Sequence, residues 1–297
     1  MNKISVLGSL NMDLVTNVER APGMGETVLG ESFKTVCGGK GANQATAIAR
    51  LGGNIEMLGC VGKDTYGELL KENLKNCGAE VQNIAETEKS SGIAVITVCK
   101  GDNSIIVVKG ANDDVDREYV NNNREVIKAS DYLVMQLEVP FETVEYAMTV
   151  ARAEGTKVVF NPAPMDEKCV SLIKYVDIFV VNEHEAGIVT GEKVEERESA
   201  EAALKKILDM GAKTVVVTLG EKGCVYNVGE EIFYAPAVKT KAVDSTAAGD
   251  SFIGAMLVRL TEGADMHEAV KFAAKVSAIV VSKPGATESI PYRNEIE

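Results

Sequence analysis

The sequence predicts an α/β fold, in which a central, mostly parallel β-sheet is covered by helices on both faces and carries a small β appendage. Three observations predict it. Val- and Ile-rich runs of strand length recur along the chain, and stretches with helical apolar spacing separate them. Two further stretches leave the alternation and read as consecutive strands.

The elements follow in chain order. Residues 4–7 form the first strand, entered directly from Met1-Asn2-Lys3 with no signal peptide expected. Strands at 14–18, 28–29 and 33–36 follow, with turns at Pro22-Gly23 and at Gly30. A helix at 42–51, a strand at 55–61 and a helix at 66–77 return to alternation. Strands at 93–99 and 105–108 are joined through Gly101-Asp102-Asn103. Helices are expected at 117–128, 142–154 and 199–210, and strands at 132–135, 157–160, 178–181 and 214–218. A hairpin over 223–234 precedes two final helices at 251–260 and 266–282. The segments 14–36 and 93–108 are interleaved with the first strands of the main sheet. Residues 1–297 therefore read as one α/β unit with an inserted β-sheet, either a lid over a site or a dimer surface.

Composition narrows the partners. Of 297 residues 45% are hydrophobic, but only 5% are aromatic and none is Trp, so the core must be Val, Ile, Leu, Ala and Met. A formal net charge of −13 repels nucleic acid and anionic membranes, and no basic patch offsets it. A nucleotide can still bind through backbone N–H groups, a metal ion and a few local cations. Cys37, Cys60, Cys77, Cys99, Cys169 and Cys224 form no C-x-x-C pair, and His184 and His267 do not complete a zinc site with them. Buried free thiols in a reducing cytosol, hence a cytoplasmic protein, are expected. No apolar run reaches the roughly 18 residues of a membrane span.

The most informative segment is Asp244-Ser245-Thr246-Ala247-Ala248-Gly249-Asp250. Ala247, Ala248 and Gly249 stand just ahead of an apolar helix, where unpaired N–H groups and the helix dipole favour a phosphate. Asp250 then falls in the first turn, where a base can take a proton from a phosphoryl acceptor. By local pattern alone it reads more readily as an N-cap or first-turn acid supporting the helix dipole.

Two other segments are polar where a ligand would sit. Gly38-Gly39-Lys40-Gly41-Ala42-Asn43-Gln44 opens a helix, and Gly39, Lys40 and Asn43 suit a small polyol; alternatively they are a tight turn with a solvated Lys. The segment is neither a P-loop nor a dinucleotide fingerprint, because both spacings fail. Asn11 and Asp13 follow the first strand, share one face if extended, and can bracket neighbouring hydroxyls; singly, each is also an ordinary Asx turn.

In combination these segments resemble the ribokinase (PfkB) family of carbohydrate kinases. Residues 38–62 are similar to its N-terminal pattern and 244–256 to its C-terminal one. Gln136-Leu137-Glu138, Asn161-Pro162-Ala163-Pro164, an Asn-x-x-Glu at Asn182 and Glu185, and Thr218-Leu219-Gly220 extend the likeness over the whole chain. The resemblance implies a three-layer sandwich with a small β lid, and ATP-dependent phosphorylation of a sugar. Gly-Gly-Lys-Gly-Ala-Asn-Gln-Ala looks more like the ribose-phosphorylating members than adenosine kinases or fructokinases, so ribose to ribose 5-phosphate is the implied reaction.

It also implies roles. Asp250 would be the base, and the N–H groups of Ala247, Ala248 and Gly249 the anion hole; many relatives have Gly-Ala where this chain has Ala247-Ala248. Asn11, Asp13, Gly39, Lys40, Asn43 and Glu138 would hold the sugar. Asn182 and Glu185 would handle Mg²⁺ and phosphate through water, and Thr218, Gly220 and Gly223 would border the nucleotide. Asp244, Thr246, Val280, Lys283, Gly285 and Ser289 match a monovalent-cation site, with K⁺ as the ion. A homodimer through the exposed lid edge is expected. The alternatives are a kinase of the same family acting on fructose, a keto-deoxy sugar acid or a nucleoside, and a non-catalytic sugar sensor on the same fold.

Overall fold

The structure, a computed structural model, describes residues 2–99 and 102–296. The chain runs through β1 (Lys3–Leu7), β2 (Asn11–Val18), β3 (Gly30–Gly38), helix α1 (Lys40–Arg50), β4 (Asn54–Gly62), α2 (Thr65–Cys77) and β5 (Ile84–Thr87). It continues with β6 (Gly92–Cys99), β7 (Asp102–Val108), α3 (Arg117–Asn122), α4 (Arg124–Lys128), β8 (Tyr132–Met135), α5 (Phe141–Glu154) and β9 (Lys157–Phe160). It ends with β10 (Ile178–Asn182), α6 (Glu183–Thr190), α7 (Arg197–Asp209), β11 (Thr214–Thr218), β12 (Cys224–Val228), β13 (Glu231–Ala235), α8 (Ala248–Thr261) and α9 (Met266–Val281).

Among the described residues nine strands form the main sheet, in the order β13-β12-β11-β10-β9-β8-β1-β4-β5. From β5 to β11 every pairing is parallel, and the β12–β13 hairpin closes one edge antiparallel. Leu7 pairs with both Leu58 and Met135, so β1, β4 and β8 end level with one another. From β1 the chain builds outward to β4 and β5; from β8 it builds the other way. The β1/β8 boundary is thus the topological switch point, where open α/β sheets bind ligands beyond the strand ends.

Helices on both faces explain why these strands read as unbroken apolar runs. Successive residues alternate between two cores. Val6, Val134, Val159, Val180 and Val216 enter the core under α1, α2, α8 and α9. Leu7, Met135, Phe160, Val181 and Val217 enter the core under α3 to α7. Full burial of such a side chain contributes about 1.5–3 kcal/mol, so a polar residue on either face is costly.

The small sheet has the order β3-β2-β6-β7, with β2 and β6 parallel and its other pairings antiparallel. Both predicted inserted segments fall in it. Residues 28–29 are not a strand, since Leu29 is 91% exposed and has nothing to pack on. Gly30 opens β3 instead of turning the chain; the turn is at Gly23, whose O accepts from Glu26 N at 3.1 Å. The predicted turn at Gly101 lies outside the described residues. The helix expected over 117–128 breaks at Asn123, whose Nδ2 donates to Tyr119 O at 2.9 Å and competes with the helical pattern. Strand β5 and helix α6 were not predicted. All six cysteines are free; Cys60, Cys77, Cys169 and Cys224 are buried, whereas Cys37 and Cys99 are only partly so. No helix among the described residues is long and apolar enough to cross a membrane.

Candidate active site

The site is assembled at the switch point from segments far apart in sequence. After β1 the chain crosses Gly8-Ser9-Leu10 and re-enters extended structure, so Asn11 and Asp13 share one face of β2. Asn11 is held by Asn112, whose Nδ2 donates to Asn11 Oδ1 at 2.7 Å and whose Oδ1 accepts from Leu10 N at 2.9 Å. Asn112 is buried, and nothing in its local sequence announced it.

Gly39 caps α1 with φ 91°, and a Cβ there would stand 2.8 Å from Asn11 N. Only glycine lets the loop pass so close in that conformation. Lys40 and Asn43 follow in the first turn. The Lys40 backbone N donates to Glu138 Oε2 at 2.9 Å, and Ser9 Oγ donates to the same oxygen, so β1, β8 and α1 are tied through one carboxylate.

Helix α8 begins at Ala248, three residues earlier than predicted, because small residues that look like loop also fit a helical first turn. Gly254 allows α8 to close on α1, where a Cβ would meet that of Ala47 at 2.7 Å. This approach brings Asp250 under α1: Asn43 Nδ2 donates to its Oδ2 and Gln44 Nε2 to its Oδ1, each at 3.0 Å. With its amide so used, Asn43 Oδ1 is buried and unpaired among the described residues. A sugar hydroxyl can supply the missing donor.

Ala247 precedes α8 with φ 62° and ψ 5°, the left-handed region. Ala248 N–H already donates to Ser245 O at 3.2 Å. Of the three predicted anion-hole donors, Ala247 and Gly249 therefore keep their N–H groups open among the described residues. Both line the cavity, while Ala248 does not.

That cavity, about 780 Å³, is lined by Asn11, Asp13, Gly39, Lys40, Asn43, Glu138 and Asp250 together. A second, more apolar cavity of about 700 Å³ adjoins it and is lined by Thr218, Gly220, Gly223, Phe252 and Ala274 among others. Thr218, Ser245 and Gly249 line both, so the amide end of α8 stands where the two meet. An apolar groove suits a flat base, and a polar cleft suits a sugar.

Charge is concentrated in the polar cavity. Burial, then the Glu138 charge, pushes Asp13 up to about 7. Burial works to lower Lys40, but the combined charges of Asp250, Glu138 and Glu185 outweigh it and raise its pKa, so it stays a cation. Burial also raises Glu185, against the hydrogen bond it accepts from the Asn182 backbone.

A model for the pfkB family of carbohydrate kinases matches residues 1–293. The chain belongs to that family. Ribokinase of Schizosaccharomyces pombe is 42% identical over 309 residues, covering 100% of this chain and 97% of the relative. Deoxyribokinase of Salmonella typhi is 36% identical over 291 residues, covering 97% of this chain and 95% of the relative. Arabidopsis thaliana ribokinase, solved complexed with ribose and ATP, superposes with a TM-score of 0.92 at 31% identity, covering 99% of this chain and 97% of the other. The predicted fold is that of these kinases.

The remaining predicted residues of this carbohydrate kinase divide. Asn182 and Glu185 form a capping box on α6: Glu185 N donates to Asn182 Oδ1 at 2.8 Å and Asn182 N to Glu185 Oε2 at 2.9 Å. Both still line the polar cavity, and Glu185 keeps one carboxylate oxygen outside the box. Asp244 gathers two of its predicted neighbours. Its Oδ1 accepts from Thr246 N at 2.9 Å and Thr246 Oγ1 at 2.6 Å, and its Oδ2 from Gly285 N at 3.0 Å. Burial would raise Asp244, yet these bonds and Lys34 hold its carboxyl below the usual range. Val280, Lys283 and Ser289 line neither cavity. Val280 O accepts from Lys283 N at 3.1 Å, and Ser289 Oγ donates to Ala286 O at 2.7 Å. No cluster of three or more His, Cys, Asp or Glu among the described residues could cage a metal. Sequence reasoning also missed Gln44 and Gln136 as parts of the site; Gln136 Nε2 donates to Gln44 Oε1 at 2.6 Å, directly behind Asp250.

Proposed function

We propose that this kinase transfers the γ-phosphoryl group of ATP to the primary hydroxyl of ribose, giving ribose 5-phosphate and ADP. The observation that carries the reading is the position of Asp250. Its carboxylate, steadied by Asn43 and Gln44, lines the same cavity as Asn11, Asp13, Lys40 and Glu138 and as Ala247 and Gly249, whose amides are open. Asp250 takes the hydroxyl proton as the sugar oxygen attacks phosphorus, and the amides at the α8 terminus receive the charge of the moving phosphoryl. Lys40, held as a cation by the charges of Asp250, Glu138 and Glu185, supplies a local positive charge in a protein of net charge −13.

Mg²⁺ fits the free oxygen of Glu185 and the phosphates through water, where it would neutralise phosphate charge. K⁺ would be held beside the charge of Asp244, among Thr246, Val280, Lys283, Gly285 and Ser289, and would stiffen the loop carrying Ala247. A homodimer through the small sheet is supported by its outer apolar side, where Ile106 of edge strand β7 is 67% exposed.

The relative at 36% identity that phosphorylates deoxyribose, by its name, favours 2-deoxyribose as the second reading. An ADP-release assay across ribose, 2-deoxyribose, fructose and nucleosides decides. Ribose is expected to have the highest kcat/KM, with 2-deoxyribose lower by about tenfold or more, the scale of one hydrogen bond to a charged group. A better rate with fructose, 2-deoxyribose or a nucleoside would overturn the ribose assignment and leave the family intact.

A further inference from the structure

Two buried glutamines stand behind Asp250 and touch neither cavity. Gln44 and Gln136 are each 0% exposed, and neither lines a cavity wall. Gln136 follows β8 and Gln44 lies in α1, so the pair spans the seam between sheet and helix. Gly8 makes room for them: a Cβ there would collide with Gln136 Oε1 and approach Gly41 Cα to 2.9 Å. Gln136 Oε1 has no partner among the described residues. An apolar side chain would fill that space without leaving a buried acceptor unsatisfied, so packing does not account for an amide here.

Direction accounts for it. A carboxylate only accepts, so Gln44 must turn its NH₂ toward Asp250 Oδ1. Its carbonyl then faces away and needs a donor, which Gln136 Nε2 provides at 2.6 Å. Every link points its donor toward Asp250. The opposite order would set an amide oxygen against the carboxylate.

We propose that Gln136 and Gln44 form a directed amide relay that orients the Asp250 carboxylate. They are positioning residues: Gln44 acts on Asp250, and Gln136 acts through Gln44. The inference rests on Asp250 being the base.

The test uses the full-length kinase with ribose and ATP. Gln44→Met is expected to lower kcat by about tenfold or more, the scale of one hydrogen bond to a charged group, with KM for ribose and ATP within about twofold. The double variant Gln44→Met/Gln136→Met should be no slower than Gln44→Met alone, because a chain broken at its near link gains nothing from its far one. Gln136→Glu keeps the shape and forces reversal: an acceptor there draws the Gln44 NH₂ away and turns its oxygen toward Asp250. It should be slower than Gln136→Met, an ordering that packing loss alone predicts in reverse. Melting curves of all variants identify any that fail to fold, and the Glu–Met comparison then stands on the folded pair. Additive losses, or a Gln136→Glu enzyme as fast as Gln136→Met, would overturn the relay. Asp250→Asn, measured alongside, separates the two claims. Near-normal turnover by Asp250→Asn removes the base assignment itself, whereas an inactive Asp250→Asn beside unaffected glutamine variants removes only the relay.

Discussion

Asp13 and Glu138 are two carboxylates on one wall of the sugar cavity, and Asp13 is lifted by burial and then by the Glu138 charge to about 7. Because this is above the ordinary value of 3.8, the stability Asp13 contributes to the ligand-free protein is full below that value and is lost as pH rises through about 7. Sugar hydroxyls donating to Asp13 favour its charged form. Ribose affinity should therefore rise between about pH 6 and about pH 8, as read by calorimetry or KM, and Asp13→Asn should flatten the dependence. A ribose KM equally independent of pH in both proteins would remove Asp13 as a sugar ligand.

Asp250→Asn keeps the shape of the side chain and removes the base. The expected loss in kcat is at least about 10²-fold, the scale of general-base catalysis, with ribose binding largely kept. Single-turnover kinetics check that the loss falls on the chemical step.

The Asp244 corner should make the rate depend on the monovalent ion. K⁺ is expected to raise kcat over Na⁺ and Li⁺ at equal ionic strength, and Asp244→Ala to abolish the difference. That variant also frees Thr246 and Gly285, so it should lose stability, by about 1–3 kcal/mol for hydrogen bonds to a charged group. Equal rates in all three salts, in the unmodified kinase, count against the site.

Ala247 is a non-glycine residue at φ 62°. An L-residue in that region costs roughly 1–2 kcal/mol that glycine avoids. Ala247→Gly should thus raise stability by up to about 1 kcal/mol after its greater unfolded-state freedom is counted, as measured by urea unfolding. A marked destabilisation would mean that the left-handed turn is not the dominant conformation.

Ribose should protect the small sheet. Val15, Lys34, Ile96 and Ile105 of its four strands line the polar cavity, so a sugar held there is expected to meet the small sheet. Amide hydrogen exchange over 14–36 and 93–99 is expected to slow at saturating ribose. Unchanged exchange there would show that the sheet does not respond to sugar.

Much of this was legible because the signals were local. Asn11 and Asp13 follow a strand within a few residues, Lys40 and Asn43 open a helix behind Gly39, and Asp250 stands behind three small residues; each needs only its neighbours to be noticed. What was not legible depended on contacts across the fold. Asn112 meets Leu10 from 102 positions away, and Gln136 meets Gln44 from 92. A buried glutamine in an apolar helix has no local signature. The contacts of the cation set were not legible either, since matching positions do not reveal that Val280 O accepts from Lys283 N or that Ser289 Oγ donates to Ala286 O. Strand β5 was missed because its four residues, Ile84-Ala85-Glu86-Thr87, alternate too briefly to stand out.

The Asn43–Asp250 bond joins residues 207 positions apart. On the ribosome, β1 through α1 emerge early, yet α8 is among the last elements made. A nascent chain therefore has the strands carrying Asn11 and Asp13 well before it has Asp250 or the amides of Ala247 and Gly249. A polypeptide cut short before α8 lacks Asp250 and Gly249, so it is expected to show no ATP turnover in an ADP-release assay.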